Sequence, residues 1–373
     1  MKAINIISFD VPFPANYGGV IDVFYKIKAF HNLGIEVHLH CFEYGRGKQI
    51  ELEKICATIN YYKRKKGVGS FLSQLPYIVK SRVNQELRKN LLKNHYPILF
   101  EGLHCCYLLK DTDLKNRFKI VRTHNVEHHY YAHLAKSEKF GLRKRYYSSE
   151  SRKLKQFESI LDHANLSLAI SKNDYNYFTS KYPSLKVIHI SAFHQNNSIK
   201  IKEGVGDYVL YHGNLSVNEN KEAVKFIINN VFKNIDTPLI IAGLNPDKEI
   251  IKLIDKYTHI RLIQNLSDSD LLKLIQNAQI NLLYTHQATG LKLKLLNSLY
   301  NGRHCLVNSN MVDGDLLNQC CIVKNSKEDL TNSILELMRI ELSNEEIEIR
   351  KHILNEHYSN QKLTKKIIEN ITF

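Results

Sequence analysis

Residues 284–308, YTHQATGLKLKLLNSLYNGRHCLVN, read as the end of a strand, a short polar loop, a helix and a second strand. Leu291, Leu295, Leu296 and Leu299 recur at the three-and-four spacing of a buried helical stripe. Lys294, Asn297, Ser298 and Asn301 repeat at the same spacing and share a different face. Gly290 stands at the mouth of this helix, where exposed backbone N–H groups can approach an anion, and a lysine nearby adds positive charge. The pattern fits a phosphate-binding helix. It fits an ordinary βαβ crossover with solvated lysines equally well.

Outward from this stretch, the second half of the chain alternates strands and helices, as a parallel α/β sheet does. Strands are expected at 208–211, 238–242, 260–263, 280–284 and 305–308. Gly213 and Gly243 lie just past two strand ends, where the backbone can approach a nucleotide's phosphates or base. Ser267 with Asp270, and Ser343 with Glu346, have the spacing of capping boxes that open helices.

The first half shows the same alternation. A strand over 2–9 leads through a loop ending in Gly18-Gly19 to a helix over 20–33, which Gly34 stops before a strand at 35–42. This opening lacks the GxGxxG fingerprint of dinucleotide binding. Residues 46–95 read as helical and basic, 97–100 and 119–123 as strands, and 136–164 as one long helical stretch. Strands follow at 166–170 and 186–190, and Ser171 is placed to cap the helix between them. Residues 191–206 are polar and aperiodic and read as a linker. The expected domains are therefore 1–195 and 205–355, with 356–373 left over as a terminal segment.

At 373 residues, with 43% hydrophobic and 24% charged, the chain can bury two cores and is not a disordered one. No apolar run approaches the roughly 18 residues of a membrane span. The first residues lack a signal peptide's apolar region and cleavage site, so the protein reads as cytoplasmic. Seven cysteines without CxxC spacing read as reduced, buried thiols rather than a zinc site. The net charge of +15 lies wholly within residues 1–190; the remainder is balanced. Its clusters, Tyr61-Tyr62-Lys63-Arg64-Lys65-Lys66 and Arg143-Lys144-Arg145-Tyr146-Tyr147, mix tyrosine with cations. That mixture suits acidic lipid or nucleic acid, or a solvated face with no partner.

The densest polar and aromatic group follows the strand at 119–123: Arg122-Thr-His-Asn-Val-Glu-His-His-Tyr-Tyr131. The carboxyl ends of strands form the ligand crevice of an open α/β sheet, and His124 and Asn125 would sit there, with Glu127 starting the next helix. The spacing of His124, His128 and His129 matches no zinc motif. Hydrogen bonding or proton handling by His124, and simple helix capping by surface histidines, are the two remaining readings.

In their order and spacing these motifs resemble a retaining, family-4-like (group 1) glycosyltransferase of the GT-B fold, of the kind found in bacterial surface-polysaccharide synthesis. The resemblance spans nearly the whole chain. It rests on the opening stretch, Gly18-Gly19, Arg122-Thr-His-Asn-Val-Glu-His128, His212-Gly-Asn-Leu-Ser216 with Asn220, and Ile241-Ala-Gly243. It implies two Rossmann-like domains facing each other across a cleft, with the terminal segment crossing back to the N-terminal domain.

The resemblance further implies that Gly18 and Gly19 approach the donor phosphates or the transferred sugar. His124, with Asn125 and Glu127, would face the sugar or acceptor. Gly213, Asn214, Gly243, Thr289, Gly290, Lys292 and Asn297 would line the donor, and Lys294 would neutralise the leaving diphosphate. The family's glutamate pair is replaced by Thr289 and Asn297, and its cation after the glycine by Asn214, with Lys221 a rough substitute; Lys292 or Arg303 would share the charge. The implied activity is transfer of a hexose such as mannose, with retention, from a nucleotide-diphosphate sugar to a lipid-linked or polysaccharide acceptor. No metal or other cofactor and no nucleic acid is expected, and the basic N-terminal domain would dock on the inner face of the plasma membrane. Two alternatives stand beside it: a catalytically degenerate partner subunit, and a nucleotide-sugar epimerase or synthase on the same fold.

Overall fold

The structure, a computed structural model, describes residues 2–65, 67, 73–138, 140–286 and 292–373. The chain divides into two units, Met1–Gln195 with Tyr358–Phe373, and Asn196–His357. Each is built on one fully parallel sheet.

The first unit carries β1 (Ala3–Ser8), β2 (Glu36–Glu43), β3 (Thr58–Lys63), β4 (Ile98–Glu101), β5 (Lys119–Thr123), β6 (Leu166–Ala169) and β7 (Lys186–His189). Their order across the sheet is β3-β2-β1-β4-β5-β6-β7. The order reverses between β1 and β4, which pair through Asn5–Ile98, Ile6–Leu99 and Ile7–Phe100. A doubly wound sheet opens its crevice at the carboxyl ends of such a strand pair. On one face Ile4 and Ile6 pack with Val23, Ile27 and Phe30 of the helix Gly18–Asn32, and with Leu363 and Ile367 of the terminal helix Asn360–Ile368. On the other face Ile7, Phe100 and Val121 join a second cluster. Burying one such side chain stabilises the unit by about 1.5–3 kcal/mol.

The second unit carries β8 (Val209–Asn214), β9 (Leu239–Leu244), β10 (Ile260–Gln264), β11 (Ile280–Leu283), β12 (His304–Val307) and β13 (Ile322–Val323), ordered β10-β9-β8-β11-β12-β13. Its reversal falls between β8 and β11. Ser267 and Ser343 cap their helices as their spacing implies: the Asp270 amide reaches Ser267 at 3.2 Å, and Ser343 and Glu346 bond reciprocally. Ser171 does the same for Asp174 at 3.0 Å.

Three readings of the sequence are corrected, and one strand escapes it. Residues 46–95 are not all helical: β3 runs through them at the edge of the sheet, with Tyr62 turned inward and its hydroxyl 2.9 Å from His40. The stretch 136–164 is broken, because the helices Glu127–Ser137 and Leu142–Phe157 are separated at Gly141, whose φ of +111° a helix cannot accommodate. β13, two residues long, carries too little pattern to be read. The supposed linker begins inside the first unit. Residues Ser191–His194 are buried there; Phe193 N donates to Asp22 at 2.8 Å, and His194 exchanges backbone hydrogen bonds with the Asn360 side chain at 3.1 and 2.7 Å. The chain thus leaves the first unit and re-enters it at one hydrogen-bonded junction. All seven cysteines are free thiols.

Candidate functional site

In the first unit a charged cluster lies beneath the reversal of strand order. Lys26, one helical turn after Asp22, points its ammonium between Asp22 (2.8 Å) and Glu101 at the end of β4 (2.7 Å), all three fully buried. Arg122 of β5 grips Asp22 from the other side at 2.9 and 3.1 Å. Burial alone would push both carboxyls up, but Arg122 and Lys26 hold Asp22 far below its ordinary value, and Lys26 with His124 hold Glu101 below its own. Both therefore stay ionised. Glu101 also bonds His124 Nε2 at 3.1 Å. His124 leans its ring edge-on against Phe9 at 5.5 Å, and its side chain is 11% exposed. These contacts fix the ring, with Nε2 committed to Glu101.

Asp22, Glu101 and His124 bring ligand atoms within 4.8 Å of one another. Two cations already neutralise the two carboxylates, so the donor set suits an ion-pair network better than a metal ion.

The loop after β1 is pinned: Tyr17 and Arg46 both reach Asp10, at 2.8 and 3.3 Å. Gly18, exposed, begins the helix, which has no side-chain cap and no acid in its first turn. At Gly19 a Cβ would meet the Phe9 ring at 2.7 Å. Asn125 is half-buried beside His124. Glu127 is withdrawn: it is 5% exposed, and burial together with Asp174 and Glu158 raises its carboxyl to about 8. His128 is drawn into a separate cluster, 2.8 Å from the Tyr177 hydroxyl and 3.6 Å from Glu158. The three histidines do not converge.

In the second unit the helix Leu293–Asn301 follows β11. Thr289 and Gly290, with Leu291, lie outside the described residues. Lys294 is half-buried beneath the end of β8, its ammonium 3.3 Å from Asn220 Oδ1 and 5.2 Å over the Tyr211 ring. Burial lowers it to about 8, against the pull of Glu219 and with the push of Lys292. Asn220 also donates to the Asn214 carbonyl at 2.9 Å, and a Cβ on Gly213 would touch its amide at 3.2 Å. The Asn214 side chain turns the loop, accepting from the Ser216 amide at 3.0 Å.

Two residues that the sequence did not single out complete this group. Glu219 accepts from Lys292 at 3.1 Å and from the Thr285 hydroxyl. Its position in the first turn of the helix after the Gly213 loop was the available signal. Thr285, just past β11, is fully buried.

Other expectations shift. Arg303 cannot share a diphosphate's charge: its guanidinium donates to the carbonyls of Gly204, Gln276, Asn277, Ala278 and Glu203. Lys221 is paired with Asp247 at 2.7 Å. Gly243 is buried, and a Cβ there would lie 2.5 Å from Leu215, so packing accounts for this glycine. Asn297 accepts from Asn301 at 3.1 Å, and Ser298 sits 3.3 Å from His212, whose imidazole burial lowers to about 3. Ser298 and Asn301 are thus buried polar packing, and Lys294 is the charged member of its row.

No family model matches the chain. An uncharacterized 44.6 kDa protein in the cps region of Klebsiella pneumoniae is 28% identical over 326 residues, 81% of each chain. Among solved structures, the chain superposes with a TM-score of 0.66 on the S. aureus TarM G117R mutant bound to fondaparinux, alpha-GlcNAc-glycerol and UDP, at 12% identity over 99% of both chains. HepE from Anabaena, in complex with UDP and glucose, gives 0.66 at 11% identity over 98% of both. The fold is GT-B.

Proposed function

We propose that the protein is a glycosyltransferase that moves a hexose from a nucleotide-diphosphate sugar to a glycan or lipid-linked acceptor, as a step in surface-polysaccharide synthesis. The observation that carries this reading is Lys294, a half-buried cation at the β8–β11 reversal, held by Asn220 and flanked by Lys292 and Glu219. A pre-placed ammonium partly withdrawn from water acts more strongly on developing charge than one in bulk water, and costs little reorganisation when the bond breaks. The UDP-bound structures of the same fold and the cps-region relative support it.

In this reading the sugar's C1–oxygen bond to the diphosphate breaks as negative charge grows on the leaving oxygen. Lys294 stabilises that charge, and Lys292, released from Glu219, adds to it. An acceptor hydroxyl forms the new bond to C1 on the same face, and its proton passes to the departing diphosphate. His124, with Nε2 committed to Glu101, offers Nδ1 to a sugar or acceptor hydroxyl. The two lysines supply the charge that a bound cation would otherwise supply.

Titration with UDP-, GDP- and dTDP-sugars, followed by thermal unfolding, tests the reading. A ligand that binds only the native state stabilises it by mass action, by about 2.7 kcal/mol at a hundredfold excess over Kd, and so raises the midpoint. If no nucleotide sugar shifts the midpoint at millimolar concentration, the proposal fails.

A further inference from the structure

The helices Glu127–Ser137 and Leu142–Phe157 form a hairpin that begins directly after His124. Two contacts set their pairing: Tyr131 meets Tyr147 at 6.0 Å, and the Ser151 hydroxyl donates to the His128 carbonyl at 2.8 Å. Partners that descend in one helix as they ascend in the other make the pair antiparallel. The far end of the hairpin is therefore the turn at Phe140 and Gly141.

That turn is unlike the rest of the surface. Phe140 is 91% exposed and Leu142 83%, the two most exposed large apolar side chains among the described residues. A Cβ added to Gly141 would meet nothing within 4 Å. Lys136, Arg143 and Arg145 lie around it, and the Lys144 ammonium stands 5.4 Å from the centre of the Phe140 ring. Glu138 is the acid at the turn; Glu127 and Glu150 are buried further down the hairpin. Leaving an aromatic and a leucine in water is unfavourable, and cations ringing them repel a basic partner. Apolar tips among snorkelling cations have the chemistry of an anionic bilayer interface.

The other basic cluster does not share this form. Tyr62 is turned into the sheet, and Arg64 lies against Tyr44 and Tyr77 at 4.7 and 5.3 Å with its Nε on Ser81. Arg64 is thus built into the unit's own packing.

We propose that the Phe140–Arg145 tip docks the protein on an anionic lipid surface, with Phe140 and Leu142 entering the headgroup–acyl boundary and the cations resting on lipid phosphates. The first helix of the hairpin has 11 residues, so the tip stands about 16 Å from the His124 loop. That spacing would present a lipid-linked head group, rather than its apolar chain, to His124. This last step rests on the transferase reading; the docking itself does not.

The chain contains no tryptophan, so Phe140→Trp supplies a single fluorescent reporter at the tip. With phosphatidylcholine vesicles containing one quarter phosphatidylglycerol, its emission should shift to the blue and be quenched by brominated acyl chains. With phosphatidylcholine alone the shift should be far smaller, and added salt should weaken it. In co-sedimentation without any donor sugar, Phe140→Ser with Leu142→Ser should lower vesicle affinity on the order of tenfold or more. Arg143→Glu with Arg145→Glu should lower it further, since each cation strengthens such binding roughly fivefold. The exposed positions should leave the thermal midpoint and turnover on a soluble acceptor unchanged.

No sedimentation of the wild type with anionic vesicles overturns the proposal. So does equal sedimentation of the double serine variant. Emission from the Phe140→Trp variant that stays red with vesicles, while the protein binds an acidic polypeptide instead, overturns it as well. Vesicle binding by a protein that binds no nucleotide sugar would sustain the docking and defeat the transferase reading, so the two fail separately.

Discussion

Lys26 and Glu101, 75 residues apart, meet at 2.7 Å with both side chains shut off from solvent. The pair is compensated on every side, by Asp22, Arg122 and His124. Removing one partner leaves an unpaired buried charge, which costs about 3–5 kcal/mol. Lys26→Met should therefore destabilise the protein by that amount in urea titrations at pH 7. A loss below about 1 kcal/mol would show that the cluster is wetter than its burial implies.

The same cluster sets a response to acid. Asp22 and Glu101 are held below their ordinary values, so the folded state binds fewer protons than the unfolded one in that range. Their contribution is fully present above the unfolded carboxylate values near 4 and is lost as pH falls below them. The urea midpoint should drop between pH 6 and pH 3. Asp22→Asn, less stable from the start, should show a visibly shallower drop. A parallel pH profile would assign the acid response to other groups.

Glu127 should do the reverse. Its carboxyl is raised to about 8, so the folded state retains a proton that the unfolded chain releases. The stabilisation is complete below about 4.5 and fades as pH rises through about 8. Glu127→Gln, which keeps the shape and the neutral form, should be neutral near pH 4 and stabilising at pH 8 by a few kcal/mol. Denaturant titrations at the two pH values decide it.

How much of this was legible follows from which signals are local. β1, β2, β4 and the inner strands β8, β9, β11 and β12 show in apolar runs bounded by turn residues, because each is largely buried on both faces. β3 was hidden because an edge strand rich in Tyr and Lys resembles a solvated basic helix. The charged cluster was hidden for another reason. A lysine is almost never fully buried unless paired, and the partner of the helical Lys26, Glu101, ends a strand 75 residues further on. Asp22 and Lys26, four apart within the apolar row of Val20, Val23, Ile27 and Phe30, were the one local hint. Lys294 could be picked out because glycine and lysine at a helix start carry their own chemistry. Glu219 and Thr285, 66 residues apart, are joined only by the sheet order.

For the proposed reaction, Lys294 makes a prediction that depends on its charge. Lys294→Ala should cut turnover by about two orders of magnitude, the scale of losing one donor aimed at developing charge. Because burial lowers the ammonium to about 8, the active charged form is lost as pH rises past that value. In the free enzyme kcat/KM should fall on the alkaline side with an apparent value near 8. Unchanged turnover in the alanine variant would remove Lys294 from the site.

Gly243 separates packing from ligand approach. A Cβ there would stand 2.5 Å from Leu215, which is fully buried, so Gly243→Ala should destabilise the second unit by about 1–3 kcal/mol through overpacking. Leu215→Ala alone opens a cavity and should cost about 2–5 kcal/mol. Combined, the new methyl group enters the space that the leucine vacates, so the double variant should lose clearly less than the two losses added together. A double-mutant cycle in urea measures that coupling directly. Strict additivity, with nucleotide-sugar affinity falling in Gly243→Ala alone, would instead mean that the glycine is bare because a ligand comes against it.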